Sequence, residues 1–269
     1  MARQDAPDPR QTRPAGAQTV ERAFEVLQCL KTAPGPVGVS DIARSLDLNV
    51  SSVYRMVRAM ERAGFLEQDA TTRRYRLGSA IAGLNRVLFH QRRFDLARPE
   101  LCRLAGETSG SAVLALRDGN ETLVVSDLSA DGAEPDDPGA PVANSVPLHA
   151  SAFGKTLLAW PAGQEADLES LAPFERFTDR TITTTEALRA ELEATRQRGY
   201  ALSDRELYPL QLTVAVPILH QDGGSYLALG VGTTWTRGAA ARTASVARLV
   251  QESAHRLRPL LVPGHPERW

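Results

Sequence analysis

Serine and arginine side chains recur at helical spacing between residues 50 and 62. Intervals of four, three and four positions place these polar side chains on one helix face: Ser51, Arg55, Arg58 and Arg62. Apolar side chains occupy the opposite face: Val50, Val53, Val57 and Met60. Guanidinium groups and hydroxyls are common ligands of phosphates and base edges. The pattern therefore predicts a helix that packs on one side and can contact nucleic acid on the other.

The flanking sequence predicts the elements that position this helix. Asn49 is a candidate N-cap for it, and Ser40 is a candidate N-cap for a short preceding helix. That short helix directs three apolar residues inward: Ile42, Ala43 and Leu46. A first helix is expected from Thr19 to before Pro34, with these residues inward: Val20, Ala23, Phe24, Leu27 and Leu30. Two helices joined by the turn at 47–49 form a helix-turn-helix.

A hairpin is expected after Gly64, because the short runs 65–68 and 74–77 flank a polar tip. Three helices followed by a hairpin are typical of a winged helix-turn-helix, and the hairpin carries Arg73, Arg74 and Arg76. We predict that Ser51, Ser52 and Arg55 lie nearest the bases of DNA. Phosphate contacts are predicted for Arg58, Arg73 and Arg74. The alternative for Arg58 and Arg62 is a solvated helix face on which they pair with Glu61.

The charge distribution agrees with a DNA-binding amino-terminal part. The net charge of −1 combines +4 over residues 1–90, with 13 Lys and Arg against 9 Asp and Glu, and −5 over the remainder, with 18 against 23. We expect a cytoplasmic protein, because neither a signal peptide nor an apolar run of membrane-spanning length is apparent. Cys29 and Cys102 lie far apart and are expected to be buried thiols, without metal or disulfide.

The carboxyl-terminal part mixes helices and strands, which predicts an α+β fold. A linker helix is expected over about 79–93, and a helix over 99–108 precedes a hairpin of strands 111–117 and 121–128. Residues 129–141 should form a polar loop. A helix is then expected to open at His149, and a second helical stretch is expected around 164–171. A capping box of Thr183 and Glu186 predicts the start of a further helix, which Gly199 closes. The remaining expected elements are strands 200–203, 212–220 and 225–234 and a last helix ending before Pro263.

Several segments, in a fixed order, resemble the IclR family of bacterial transcriptional regulators. The resemblance covers about residues 19–259, and these segments carry it: TVERAFEVLQCL, RYRLG, VPLHASAFGKTLLA, FTDRTITTTEALRAELEATRQRGYALSDRE, VAVPIL and YLALGVGTT. It implies a winged-helix DNA reader joined by a linker helix to a GAF-like effector domain, assembled as a homodimer or homotetramer on an operator. Such proteins repress or activate transcription when a small organic or aromatic acid binds.

Composition, the helix pattern and the resemblance together give domain bounds, and the resemblance implies an effector site. We expect a disordered tail at 1–17, the winged helix at 18–78, the linker at 79–97, the effector domain at 98–262 and a tail at 263–269. By resemblance, the effector site lies at the start of the helix that contains Ala152, Phe153 and Gly154. A helix amino terminus attracts a carboxylate, and Lys155 would add positive charge.

Other effector positions of the family align with residues that differ from the usual ones. They are Ser203, Thr213, Gly230 and Gly232, and Leu210 replaces a usual glycine. Glycine in place of two serines removes hydroxyls and opens volume. The hypothesis is therefore a ligand larger or more apolar than a two- or three-carbon acid, and the alternative is that no ligand binds there.

Catalysis and cofactors are not expected from the motifs. FGKT at 153–156 resembles the end of a P-loop, but His149 stands where the first glycine belongs. His149 and Ser151 lack a nucleophile elbow, and the other histidines lack ligand spacing. The sequence thus favours a transcriptional regulator, a repressor before an activator, without cofactor or metal. The alternatives are a ligand-binding enzyme or a protein-interaction module that retains a helix-turn-helix.

Overall fold

The computed structural model describes residues 15–129 and 145–262. The chain divides into two compact units, 1–88 and 89–269, which are treated separately below. Most of the expected amino-terminal tail, most of the polar loop at 129–141 and the tail at 263–269 lie outside the described residues. No helix within the described ranges is long and apolar enough to cross a membrane.

The first unit contains three helices and a two-stranded hairpin. Its elements are α1 (Ala15–Thr32), α2 (Val39–Ser45), α3 (Val50–Arg62), β1 (Leu66–Gln68) and β2 (Tyr75–Leu77). The buried core draws on every element and consists of Val26, Leu30, Ile42, Ala43, Val53, Val57, Leu66 and Tyr75. The expected helix, helix, helix, hairpin order is confirmed. Because α1 begins at Ala15, residues 15–17 are helical and do not belong to a disordered tail.

Two details of the first unit differ from expectation. Ser40 does not cap α2. The Gly38 carbonyl already accepts hydrogen bonds from Asp41 and Ile42, so the helix begins two residues earlier than a Ser40 cap would place it. Three residues expected to be inward are exposed, namely Val20, Phe24 and Val50. The buried stripe of α1 instead runs through Val26 and Leu30.

The start of α3 and the hairpin follow the sequence closely. Asn49 has an extended backbone, and its side chain accepts a hydrogen bond from the Ser52 N–H, which confirms the predicted N-cap. The hairpin is antiparallel and pairs Leu66 with Leu77. Tyr75 also exchanges backbone hydrogen bonds of 2.8 Å with Val37 in both directions, so the hairpin is fixed to the segment before α2.

The next helix, α4 (Ser79–Gln91), follows the hairpin and has no buried residue among those described. Leu84 and Val87 on this helix are more than half exposed. The predicted linker helix therefore forms, with an apolar surface that nothing in its own chain covers within the described residues.

The second unit is an antiparallel sheet with helices on both faces. After a 3-10 turn at Phe94–Ala97, its elements are α5 (Arg98–Thr108), β3 (Ser111–Asp118), β4 (Glu121–Leu128), β5 (Ser145–Pro147), α6 (Ala152–Ala159), α7 (Thr185–Arg198), β6 (Ala201–Asp204), β7 (Gln211–Ile218), β8 (Leu227–Thr234) and α8 (Ala239–Leu261). The strand order is β5-β4-β3-β8-β7-β6. The α+β expectation, including both hairpins, is confirmed.

The two faces of this sheet bury different sets of residues. One face packs with α5 and α8 around Leu101, Leu114 and Val250. The other face packs with α6 through Phe153 and Leu157. A smaller cluster joins α6 to α7 through Leu158, Leu188 and Leu192. The α6 side of the sheet is the one that holds the cavity described below.

Four local expectations in the second unit are wrong. α6 begins at Ala152 because the extended Ser151 caps it, and only a short 3-10 turn at Glu169–Leu171 forms in the stretch 164–171. Thr184, not Thr183, caps α7 by accepting from the Ala187 N–H. Cys102, like Cys29 in the first unit, is partly exposed, not buried. The predicted closure of α7 by left-handed Gly199 is confirmed, with φ of 80°.

Candidate nucleic-acid interface and ligand cavity

The amino-terminal turn of α3 gathers three predicted contact residues. The Ser51 hydroxyl donates to Asn49 Oδ1 at 2.9 Å, and the Ser52 N–H donates to the same oxygen at 2.8 Å. Arg55 lies one turn further, with Nη2 3.4 Å from Ser52 Oγ. Because the cap residue orients both serines, Ser51, Ser52 and Arg55 form one polar patch at the end of α3 that can enter a groove first.

Arg58 has an acidic partner, which Arg55 and Arg62 do not have among the described residues. Its Nη1 lies 2.6 Å from Glu61 Oε2, and the carboxylate of Glu61 raises the pKa of Arg58. The pairing proposed as an alternative for Arg58 is therefore present. A phosphate contact by Arg58 would require exchange of Glu61, whereas Arg62 is exposed and makes no ion pair within the described residues.

The arginines of the hairpin also differ in whether they have a partner within the protein. Arg73 lies at the tip in a left-handed conformation with φ of 59° and is exposed. Arg74 donates to the Pro36 carbonyl at 3.2 Å, and Arg76 pairs with Glu67 at 2.9 Å. Asp69 shapes the tip by accepting from Thr72, and these hydrogen bonds lower the pKa of Asp69. Arg73 is thus the hairpin guanidinium most available to a phosphate.

Tyr54 is a candidate contact residue that the sequence reasoning missed. It lies on α3 beside Arg55 and is 50% exposed. Its position three residues after Ser51 places it on the polar side of the helix. An exposed tyrosine on that side was the available signal.

The second unit contains a cavity of about 350 Å³ between the sheet and α6. Its walls come from six strands, α6 with its cap residue, and the segment after β6. The lining residues are Ser111, Val113, Val124, Val125, Ser126, Asp127, Val146, Ser151, Ala152, Phe153, Ser203, Leu207, Tyr208, Gln211, Thr213 and Gly232. The volume falls within the range of roughly 300–1,000 Å³ that is usual for small-molecule sites.

The floor of this cavity is one transverse row of the sheet. Strand register pairs Ser111 with Gly232, Gly232 with Thr213, and Thr213 with Ser203. All four side chains are small, and three carry hydroxyls. The Ser203 hydroxyl donates to the Ala150 carbonyl at 2.8 Å, which fixes the segment before α6 above this row. Ser203, Thr213 and Gly232, chosen from the sequence, therefore lie together.

The amino terminus of α6 forms another part of the cavity wall. The Ser151 hydroxyl donates to the Pro147 carbonyl at 2.8 Å and accepts from the Gly154 N–H at 3.0 Å. Within the described residues, the N–H groups of Ala152 and Phe153 have no hydrogen-bond partner. Two N–H donors at a helix amino terminus suit an anionic oxygen.

Two glycines proposed for the effector site serve packing and do not line the cavity. A Cβ on Gly154 would lie 2.3 Å from Leu148 Cα, so the helix start sits directly on that backbone. A Cβ on Gly230 would lie 2.5 Å from the Val214 carbonyl oxygen and 2.7 Å from Phe153 Cε1. The Phe153 ring thus occupies the space expected to open at Gly230. At Gly232, the nearest atom would be Gln211 Nε2 at 3.0 Å, so volume does open there.

Lys155 does not contribute charge to the cavity, contrary to expectation. Its side chain is 0% exposed, and Nζ lies 2.7 Å from Glu206 Oε1 and 3.4 Å from Glu191 Oε1. Burial raises the pKa of Glu206, and the charge of Lys155 opposes that shift. The sequence of α6 gave no sign of this ion pair, because the partners come from α7 and the segment after β6.

His149 and Ser151 have structural partners that account for both side chains. His149 Nε2 lies 2.9 Å from the Glu175 carbonyl oxygen, and its ring packs against Phe174 and Phe177. Burial lowers the pKa of His149. Ser151 caps α6 as described above, so each residue helps to shape the segment that enters the helix.

Comparison with known protein families decides the identity of both units. Residues 19–70 match the IclR helix-turn-helix domain, and residues 86–258 match the C-terminal domain of the bacterial transcriptional regulator IclR. The chain belongs to the IclR family. Membership is consistent with a transcriptional regulator. The α3 part of the candidate interface lies within the first matched region of this IclR-family chain, and the cavity lies within the second.

Individual relatives support the same assignment over nearly the full length. The HTH-type transcriptional repressor AllR of Escherichia coli strain K12 is 29% identical over 256 residues, which cover 93% of each chain. An IclR transcriptional regulator from Alicyclobacillus acidocaldarius has a TM-score of 0.72 at 27% identity, covering 90% of this chain and 98% of its own. An IclR homologue from Microbacterium hydrocarbonoxydans, complexed with 4-hydroxybenzoate, has a TM-score of 0.75 at 26% identity, with the same coverages.

Proposed function

We propose that this IclR-family chain is a sequence-specific repressor whose operator binding is controlled by a small carboxylic acid. Residues 18–78 would read double-stranded DNA, residues 98–262 would bind the effector, and 79–97 would link them. The observation that carries the proposal is the pairing of an exposed basic surface on α3 with a walled cavity of about 350 Å³ in the other unit. Neither feature alone implies regulation, but an effector cavity in a DNA-binding chain does.

For DNA, the proposed docking inserts the first turn of α3 into the major groove. Ser51, Ser52 and Arg55 would then contact base edges, and Arg73 at the hairpin tip would contact a phosphate. Arg58 and Arg74 belong to the same surface. Because each already has a partner within the protein, we expect each to contribute less to the free energy of DNA binding than Arg55 or Arg73. Salt-dependent binding is expected, because the contacts to the backbone are ionic.

For the effector, a carboxylate would lie against the N–H groups of Ala152 and Phe153. The apolar part would lie over the row that contains Gly232, where the missing side chain leaves room. The relative complexed with 4-hydroxybenzoate supports an aromatic acid as the first ligand to examine.

A homodimer or homotetramer is proposed from the exposed apolar helix surfaces. Phe24 on α1 is 61% exposed, and Leu84 on α4 is 55% exposed. A contiguous exposed apolar patch marks an interaction site, and a second copy of the chain is the partner proposed for these helix surfaces. Effector binding would then alter the geometry between subunits through α4, since a ligand acts only by its differential affinity for two states.

Calorimetric titration of the purified protein against short keto acids and benzoic acids tests the effector part. We expect binding of aromatic acids with measurable heat and weaker or no binding of two- and three-carbon acids. Tight binding of glyoxylate or pyruvate alone would contradict the proposed size. Loss of the added acid from solution during incubation would instead favour the alternative of a ligand-binding enzyme.

A further inference from the structure

We infer that Asp127 makes the cavity selective for monocarboxylates that carry a hydrogen-bond donor far from the carboxylate, and makes it reject dicarboxylates. The inference rests on the proposed effector function and adds the chemistry of the second end of the ligand. Suitable donors are a hydroxyl or a protonated amine.

The sheet register fixes the direction of Asp127. It lies on β4 opposite Val113 of β3, and Val113 packs on the α6 side of the sheet. The next residue, Leu128, is buried in the core on the other side. Because side chains alternate along a strand, the Asp127 carboxylate faces the α6 side, where it lines the cavity.

Asp127 gives the cavity its charge. Among the lining residues that the structure describes, it is the only one with a formally charged side chain. Lys155 does not line the cavity because it pairs with Glu206. The walls therefore combine the partial positive charge of the α6 amino terminus with one carboxylate and several hydroxyls.

The positive and negative features of the cavity belong to different elements. The segment that leads into α6 is fixed by the Ser203 hydroxyl of β6 and by the Pro147 carbonyl of β5, whereas Asp127 lies on β4. Both features line the same cavity. A ligand with its carboxylate at the α6 N–H groups therefore has its other end over the sheet face that carries Asp127.

Recognition at the second end then follows from elementary electrostatics. A carboxylate accepts hydrogen bonds from hydroxyl and ammonium groups, and charge-assisted hydrogen bonds are the strong ones. A second carboxylate on the ligand would meet Asp127 with like charge in a partly enclosed cavity, which is costly. A monocarboxylate without a second polar group should bind with an affinity between those of the donor-bearing acids and the dicarboxylates.

The test compares ligands that share a ring and one carboxylate and differ only at the para position. Calorimetry measures the Kd of 4-hydroxybenzoate, 4-(aminomethyl)benzoate, benzoate and terephthalate for the full-length protein. We expect both donor-bearing acids to bind at least about tenfold more tightly than terephthalate. Equal or tighter binding of terephthalate by the unmodified protein would overturn the inference, whether or not any variant folds.

The nearly isosteric Asp127→Asn variant assigns the selectivity to this side chain. In this variant the donor-bearing acids should bind less than about threefold more tightly than terephthalate, and the Kd of benzoate should be nearly unchanged. Glu193→Gln, which removes an exposed carboxylate on α7, is the matched control and should keep the preference. An unchanged preference in Asp127→Asn would contradict the inference. If no benzoate binds the unmodified protein, the proposed aromatic-acid site itself fails, which is a different result from lost selectivity.

Discussion

At the scale of single residues, the partners of Arg55 and Arg58 separate the side chain proposed to read DNA from one that already forms an ion pair. Arg55 hydrogen-bonds only to Ser52 among the described residues, whereas Arg58 is paired with Glu61 at 2.6 Å. The sequence placed both on one helix face but could not distinguish them. That distinction required the rotamers of neighbouring side chains.

Arg55→Ala is therefore expected to weaken operator binding by about 1–3 kcal/mol and to relax preference at one base pair. Arg58→Ala should cost less, because the wild-type side chain must first exchange Glu61. A gel-shift titration against the operator and single-base variants measures both. Arg189→Ala, which removes an exposed arginine on α7, is the control and should change nothing. A smaller loss for Arg55→Ala than for Arg58→Ala would contradict the assignment.

Gly230 and Gly232, both on β8, should respond differently to replacement by serine. Gly230→Ser places a Cβ 2.5 Å from the Val214 carbonyl and 2.7 Å from Phe153, so we expect destabilisation by about 1–3 kcal/mol or more. Gly232→Ser meets only the end of the flexible Gln211 side chain at 3.0 Å. It should leave the free energy of unfolding almost unchanged and weaken binding of aromatic acids by filling volume. Denaturant unfolding with calorimetry measures both, and equal destabilisation would refute the packing account.

At the scale of elements, capping at the start of α3 positions the proposed base contacts. Asn49→Ala should destabilise the first unit by about 1 kcal/mol, since the Asn49 side chain accepts the Ser52 N–H. Ser40→Ala is the matched control, because Ser40 makes no cap hydrogen bond and should cost less than about 0.5 kcal/mol. Thermal unfolding of the two variants decides the point. A larger effect at Ser40 would show that α2 begins where the sequence, not the structure, placed it.

The contact between α5 and α8 should make stability depend on pH in acid. Burial raises the pKa of Glu100, but hydrogen bonds from Arg103, Arg256 and Ser253 outweigh it, and the pKa falls to about 2. A carboxyl with a lowered folded-state pKa stabilises above its unfolded pKa, and this stability is lost as pH falls from about 4.5 towards 2. The contribution at neutral pH is on the order of 3 kcal/mol.

Urea unfolding of wild type and Glu100→Gln at several pH values measures this contribution. The difference in unfolding free energy between the two proteins should be largest at pH 6 and shrink below pH 4. A difference that is constant across this range would mean that Glu100 is not held ionised by its arginine partners.

Local signals predicted most elements, and they failed where several residues competed. The predicted caps at Asn49 and Gly199 were correct, because each is the single residue of its type at its helix end. The cap of α7 was misplaced by one position because threonine occupies 183, 184 and 185 alike. Hairpins with glycine turns were predictable, whereas the partners of Lys155 depend on packing between elements distant in sequence.

At the scale of the whole molecule, the near-zero net charge combines a basic amino-terminal part and an acidic remainder, +4 and −5. The resemblance located α6 and the row of Ser203, Thr213 and Gly232. It did not reveal Asp127, because that residue reaches the cavity only through the register of β3 and β4. Five of the seven effector positions that the family motifs suggested line the cavity, whereas Gly154 and Gly230 do not. Which of the lining residues bind an effector stays a prediction.

The most direct test of the account measures binding of the full-length protein to DNA from upstream of its own gene. Fluorescence anisotropy would compare this DNA with a scrambled duplex at two salt concentrations, with and without a benzoate that binds in calorimetry. The account predicts that the upstream DNA binds about 10³-fold or more tightly than the scrambled duplex, and that this affinity falls as salt rises. Adding the acid should reduce the affinity for the upstream DNA about 5- to 150-fold. Equal binding to both duplexes, or affinity indifferent to a bound acid, would contradict it.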